Sequence, residues 1–261
     1  MLRSIHTAAT GMEAMQTNLD NVANNLANVN TTAFKKSTAE FQDLYYQSVR
    51  APGTQVTADT RTPTGVQVGV GVKVQSVHKD FTPGSAKFTG QQMDFLINGD
   101  GFFQVQRENG EPAYTRDGSL KVNAQGQVVN SSGLLLQPAI TVPPTSSKIT
   151  VSPTGLVSSV DSENRSTDIG QMEIVSFINP SGLNAIGGNL YQMSEASGQP
   201  VQGIPGNANL GNVQQYSLES ANVNVVNEMV NMISAQRAYE MNSKVLQAAD
   251  QMLQVSTNVL K

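Results

Sequence analysis

The side chains that could do chemistry are few in this 261-residue chain, and they are poorly grouped. It has no cysteine, which removes thiolate nucleophiles, disulfides and cysteine-held zinc or iron–sulfur centres. Its two histidines, His6 and His78, are too few for a multi-histidine metal site within one chain. The middle of the chain offers Asp94, Asp100, Glu108, Glu111, Asp117, Asp161, Glu163, Asp168, Glu173 and Glu195. Cleavage of a cell-wall glycan needs two such carboxylates held at a set separation, and no spacing here announces that pair. Gly69-x-Gly71 and Gly99-x-Gly101 lack the further glycines or the lysine of a phosphate loop and suit β-turns. We expect no catalytic, cofactor-binding or metal-ligating residues, no cofactor, and no enzyme.

Composition narrows the partners. The formal net charge is −4, and charged residues make up 14%, against about 25% in an average soluble chain. Amides carry much of the polarity, with 23 Asn and 23 Gln. A strongly basic nucleic-acid binder is excluded. The longest run of large aliphatic residues is Leu134-Leu135-Leu136, far short of the ~20 apolar residues of a spanning helix, so membrane insertion is not expected. Arg3 is followed by Ser4, His6, Thr7 and Thr10 rather than by an apolar stretch, so no cleaved secretory signal is expected.

Periodicity supplies the elements. Ile5, Ala8, Met12, Met15, Leu19, Val22, Leu26 and Val29 alternate in steps of three and four, a heptad seam that predicts a helix from about Leu2 to Leu26 or Ala27. Asn28 to Thr32 ends it, because these side chains compete for backbone hydrogen bonds. Near the other terminus Val223, Val226, Val230 and Ile233, then Met241, Val245, Ala248, Met252, Val255 and Val259, repeat the pattern with a stutter centred on Arg237. Asn222 and Asn224 are N-cap candidates, and Glu228 suits the positive end of the helix.

Between the ends the chain is dense in Gly, Pro, Ser, Thr and Val. Val66 to Val74 alternates with period two, Phe95 to Val105 gives two strand pieces around Asn98-Gly99-Asp100-Gly101, and Ile174 to Ile178 is another strand. The predicted class is α+β. Long terminal helices (1–45 and 217–261) pair as a coiled-coil domain, 46–65 is an extended connector, and an all-β domain of short antiparallel strands (66–216) is inserted between them.

The ends are expected to need neighbours. Ordering about 25 residues costs tens of kcal/mol, while eight seam residues return about 12–24 kcal/mol. Two readings follow: a coiled coil within one chain, or helices that order when copies assemble.

Two long stretches are more specific. Ala23-Asn24-Asn25-Leu26-Ala27-Asn28-Val29-Asn30-Thr31-Thr32-Ala33-Phe34-Lys35-Lys36 resembles the N-terminal signature of the bacterial flagellar rod and hook family. Ser220-Ala221-Asn222-Val223-Asn224-Val225-Val226-Asn227-Glu228-Met229-Val230-Asn231-Met232-Ile233, with Gln236-Arg237-Ala238-Tyr239-Glu240-Met241-Asn242, resembles its C-terminal signature. Gly99-Asp100-Gly101-Phe102-Phe103 and Tyr114-Thr115-Arg116-Asp117-Gly118 resemble its internal β motifs. Length and the connector are closest to the distal rod members. One departure is Ala33, where the family usually carries glycine, which puts a positive-φ link there in doubt.

The resemblance implies a structural subunit of a hollow, rigid drive shaft that polymerises helically and transmits torque from motor to hook across periplasm and peptidoglycan. Copies would associate head to tail without closing. Implied partners are other copies, the proximal rod and hook or hook-junction proteins along the axis, peptidoglycan and outer-membrane ring proteins as a bushing, and the flagellar type III export apparatus. The implied location is the basal body in the periplasmic space. The residues assigned to subunit interfaces are Met12, Met15, Leu19, Val22, Asn24, Asn25, Leu26, Asn28, Phe34, Asn222, Asn224, Glu228, Val230, Ile233, Gln236, Arg237, Tyr239, Glu240, Val245, Met252 and Val255. For Arg237 and Glu240 the plain alternative is an exposed i,i+3 pair. Alternatives for the whole chain are another rod or hook axial paralogue, a cell-wall enzyme, or a β binding module on a coiled-coil stalk.

Overall fold

A computed structural model of the chain describes residues 2–53, 63–144, 146–163, 165–207 and 210–259. It divides into two compact units: residues 1–27, 37–78 and 224–261, and residues 28–36 and 79–223. The class is α+β: two long helices and many short, antiparallel strands. The sequence reading drew its boundaries elsewhere. Ser37–His78, which spans the predicted connector and the start of the predicted β domain, groups with the helices, and Asn28–Lys36 groups with the β unit. Residues 54–62 of the predicted connector lie outside the described residues.

In the helical unit, α1 spans Leu2–Ala27 and α2 spans Val225–Val259. Asn224 is the cap of α2: its Oδ1 accepts from the N–H groups of Val226 at 3.1 Å and Asn227 at 3.2 Å, satisfying donors that have no helical partner. The two helices pack on each other and run antiparallel, because Asn25 lies beside Glu228 and Gly11 beside Asn242. Each step is fourteen residues, four turns at about 3.6 residues per turn. Gly11 permits the approach, since a Cβ there would sit 2.9 Å from Asn242 Nδ2. Buried Ala8, Ala14, Ala235 and Ala249 are likewise small.

Two ribbons complete this unit. Ser37–Asp43 pairs with Val72–Lys79. Tyr46–Arg50 pairs antiparallel with Val66–Gly69, with Tyr46 opposite Gly69. The alternating run predicted as one strand over 66–74 is therefore two, broken at Gly71, whose φ is +135°.

The β unit is built around a seven-stranded sheet in the order 184–187, 190–192, 112–115, 103–106, 135–137, 128–129, 121–122. A three-stranded sheet (146–151, 156–161, 166–171) accompanies it. Phe95, Ile97, Phe103, Val105, Leu136, Met172 and Ile174 belong to one buried cluster. Phe102, Tyr114, Val175, Phe177, Leu183 and Tyr191 form a second, aromatic one. There Tyr114 and Phe177 meet edge to face at 4.8 Å, an arrangement that ring quadrupoles favour.

Candidate functional site

The predicted seams end in different surroundings. On α1, Val22 is buried, and Met12, Met15, Leu19 and Leu26 are half-buried. On α2, the predicted seam faces outward: Val226 is 69% exposed, Met241 61% and Val255 62%. Val230, Ile233, Val245 and Met252 are exposed as well. The positions that α2 buries or half-buries include Glu228, Met232, Ala235, Asn242, Leu246, Ala249 and Leu253. They form a second heptad track on the opposite side, poorer in large apolar groups. A helix with two such tracks has one to pack within its unit and one left over. Gln236, Arg237, Tyr239 and Glu240 are exposed, and Arg237 lies in the line of the outward stripe.

The signature amides do local work. Asn25 is buried, and it clamps the start of the strand Ser37–Asp43. Its Nδ2 donates to Ser37 O at 2.9 Å, and its Oδ1 accepts from Ser37 N–H at 2.9 Å. Its Nδ2 also lies 3.5 Å from Glu228 Oε2, a long contact of modest strength. Asn28 Oδ1 accepts from the Thr31 hydroxyl at 3.2 Å. Asn24 is exposed.

In the β unit the sequence reading missed a buried ionic cluster. Lys35, Arg116 and Glu219 are 0%, 2% and 1% exposed. Lys35 Nζ donates to Glu219 Oε1 at 2.8 Å and to Thr82 O at 2.6 Å. Arg116 Nε donates to Glu219 Oε2 at 2.9 Å, and its two terminal nitrogens donate to the carbonyls of Gly101, Ile97 and Gly99. Gly84 N–H donates to Glu219 Oε1 at 2.8 Å. Burial alone would push the Glu219 carboxyl up, but the facing charges of Arg116 and Lys35 outweigh it and hold the carboxyl below its usual range. Burial, together with the neighbouring Arg116 charge, lowers Lys35 despite the attraction of Glu219.

Around this cluster the segment after α1 is tied down by backbone bonds. Ala33 keeps a positive φ of +55° and donates its N–H to Glu219 O at 2.8 Å. The doubt raised by alanine in place of glycine is thus resolved in favour of the left-handed conformation. Asn222, read as a cap candidate, does not cap α2; Asn224 does. The Asn222 Oδ1 accepts from Lys36 N–H at 2.8 Å, and its Nδ2 donates to Asp80 O at 2.9 Å. Phe34 is buried against the cation of Lys79, 5.0 Å from its ring centre. The available signal was one of position: Lys35 and Arg116 lie inside quoted signatures, and Glu219 immediately precedes one.

The described residues hold no group of three metal-capable side chains. No helix among them is long and apolar enough to cross a membrane.

Three family models match. They are described as flagella basal body rod protein (residues 5–35), flagellar hook protein FlgE/F/G D1 domain (96–159) and flagellar basal body rod FlgEFG protein C-terminal (214–259). The flagellar basal-body rod protein FlgG of Borreliella burgdorferi is 46% identical over 99% of both chains. That of Caulobacter vibrioides is 43% identical, and that of Bacillus subtilis 35%, again over 99% of each. The Helicobacter pylori flagellar hook protein FlgE2 aligns over 71% of this chain at 14% identity with a TM-score of 0.27, too low to carry an argument. Full-length identity at this level leaves one conclusion: the chain belongs to the flagellar basal-body rod protein family and is a structural subunit of the flagellar distal rod.

Proposed function

We propose that copies of this chain join through the outward stripe of α2 into an open helical polymer, a hollow shaft that transmits torque. The observation that carries this reading is the row of large apolar side chains from Val226 to Val255 left exposed on a helix whose other side is already packed. Monomeric proteins seldom leave so many large apolar side chains uncovered along one helix face. In the polymer α1 and α2 pair as a coiled-coil inner tube and the β unit forms the outer wall. The shaft stands in the periplasm, with proximal rod and hook or hook-junction proteins at its ends and ring proteins around it. Export proceeds by the flagellar type III route.

Val230→Asp and Ile233→Asp test this. Both sites are exposed in the single chain, so its thermal unfolding is expected to stay within about 1 °C of wild type. Rods isolated from cells are expected to lack the variant, and swimming to be lost. Normal rods carrying Val230→Asp would refute the assignment of this face. Limited proteolysis of the purified chain addresses the ordering step: early loss of 1–45 and 218–261 supports ordering on assembly, and a resistant full chain opposes it.

A further inference from the structure

The outward sides of the two helices match in charge and spacing. Glu13 and Asp20 are exposed on α1, seven residues apart, and Arg237 and Lys244 are exposed on α2, also seven apart. Seven residues return to the same side of a helix two turns on, about 10 Å along the axis. None of the four belongs to an ion pair among the described residues. The faces also match in size. Ala9, Gln16, Ala23 and Ala27 accompany the acidic pair, while Val230, Ile233, Met241 and Met252 accompany the basic pair. Each charged pair points away from the packed side of its own helix, so the two cannot meet within one chain.

We propose that the outward face of α1 in one copy docks on the outward face of α2 in a neighbouring copy, with Glu13 against Lys244 and Asp20 against Arg237. This rests on the reading of the chain as a polymerising subunit, and it names the face that covers the stripe. Copies stacked head to tail keep one direction along the axis, so a neighbour's α2 meets α1 antiparallel, as the chain's own α2 does. Within a chain Asn25 is level with Glu228 and Gly11 with Asn242. Matching the charges slides the neighbour by four residues from that register, about 6 Å or one helical turn. At this offset Gln16 faces Met241, Ala9 faces Ala248 and Ala27 faces Val230, and no like charges meet. The apolar groups supply the contact, and the charges select register and direction.

The absence of cysteine gives a clean background for the test. The full chain carrying Gln16→Cys and Met241→Cys is expressed in the flagellated cell in place of the wild type, and isolated rods are oxidised. The expected result is a ladder of linked multimers in the double variant, and no ladder with either cysteine alone. Intact rods that give only monomer, or links to a different protein, would overturn the pairing. Charge reversal provides a second readout. Asp20→Lys and Arg237→Glu alone are each expected to lower rod yield about fivefold, and the two together to restore it. Single reversals that assemble like wild type, or a double variant no better than either, would equally overturn it. Absence of the wild-type chain from isolated rods would instead sink the polymer reading itself.

Discussion

Glu219→Gln is the most informative single change in the β unit. The substitution keeps the size of the side chain and removes the one negative charge between two buried cations. Lys35 Nζ then faces a neutral amide, and the Arg116 Nε–H, 2.9 Å from Oε2, meets either an amide N–H or a weaker acceptor. Removing one partner of a buried ion pair costs about 3–5 kcal/mol, because the remaining charge is left uncompensated. The unit has about 150 residues, a size at which each kcal/mol moves Tm by roughly 2–4 °C. The expected fall is therefore about 6–20 °C, read by calorimetry on the full chain at pH 7. The pH dependence sharpens the test. Because the folded carboxyl titrates below its unfolded value, its stabilisation is present above the usual carboxylate range and lost as pH falls through the lowered one. Glu219→Gln should lose that part of the acid dependence. A loss below about 1 kcal/mol at pH 7 would refute the view that this cluster holds the unit together. Lys35→Met, which leaves Arg116 paired with Glu219, is expected to cost less than Glu219→Gln; the reverse order would also count against it.

Three further positions carry expected outcomes. Ala33→Gly should stay within about 1 kcal/mol of wild type, since relief of the left-handed strain offsets lost chain stiffness and a buried methyl. Ala33→Val, branched at a buried positive-φ site, should lose about 2–4 kcal/mol in urea unfolding. Burial pushes Tyr191 up to about 12, so its stabilising contribution is complete below about pH 10 and is lost as pH rises through 12; Tyr191→Phe should remove the latest step in an absorbance titration of the phenolates. Gly11→Ala should be neutral or mildly stabilising, because the Asn242 side chain can swing aside and alanine favours the helix. Gly11→Leu should cost about 1–3 kcal/mol by forcing α1 and α2 apart, seen as a lower helical melting point by circular dichroism.

What was legible from the amino acids alone was whatever repeats locally. Heptad spacing placed α1 at Leu2–Ala27 and α2 at Val225–Val259 within a few residues, and Asn224 was readable as a cap because capping is decided within four residues. The turn Asn98-Gly99-Asp100-Gly101 announced itself through glycines whose φ values are +114° and +144°. Tertiary structure decided everything that depends on which side of an element meets a neighbour. The large apolar track of α2 looked like its packed side, yet the unit buries the track through Glu228, Ala235 and Ala249. The reason is that close approach at Gly11 and the buried alanines rewards small side chains on that side and leaves the bulky ones outside. The Lys35–Arg116–Glu219 cluster was invisible for a related reason. Its members are separated by scores of residues, each is charged and so reads as surface, and only the fold brings their opposite charges within 3 Å.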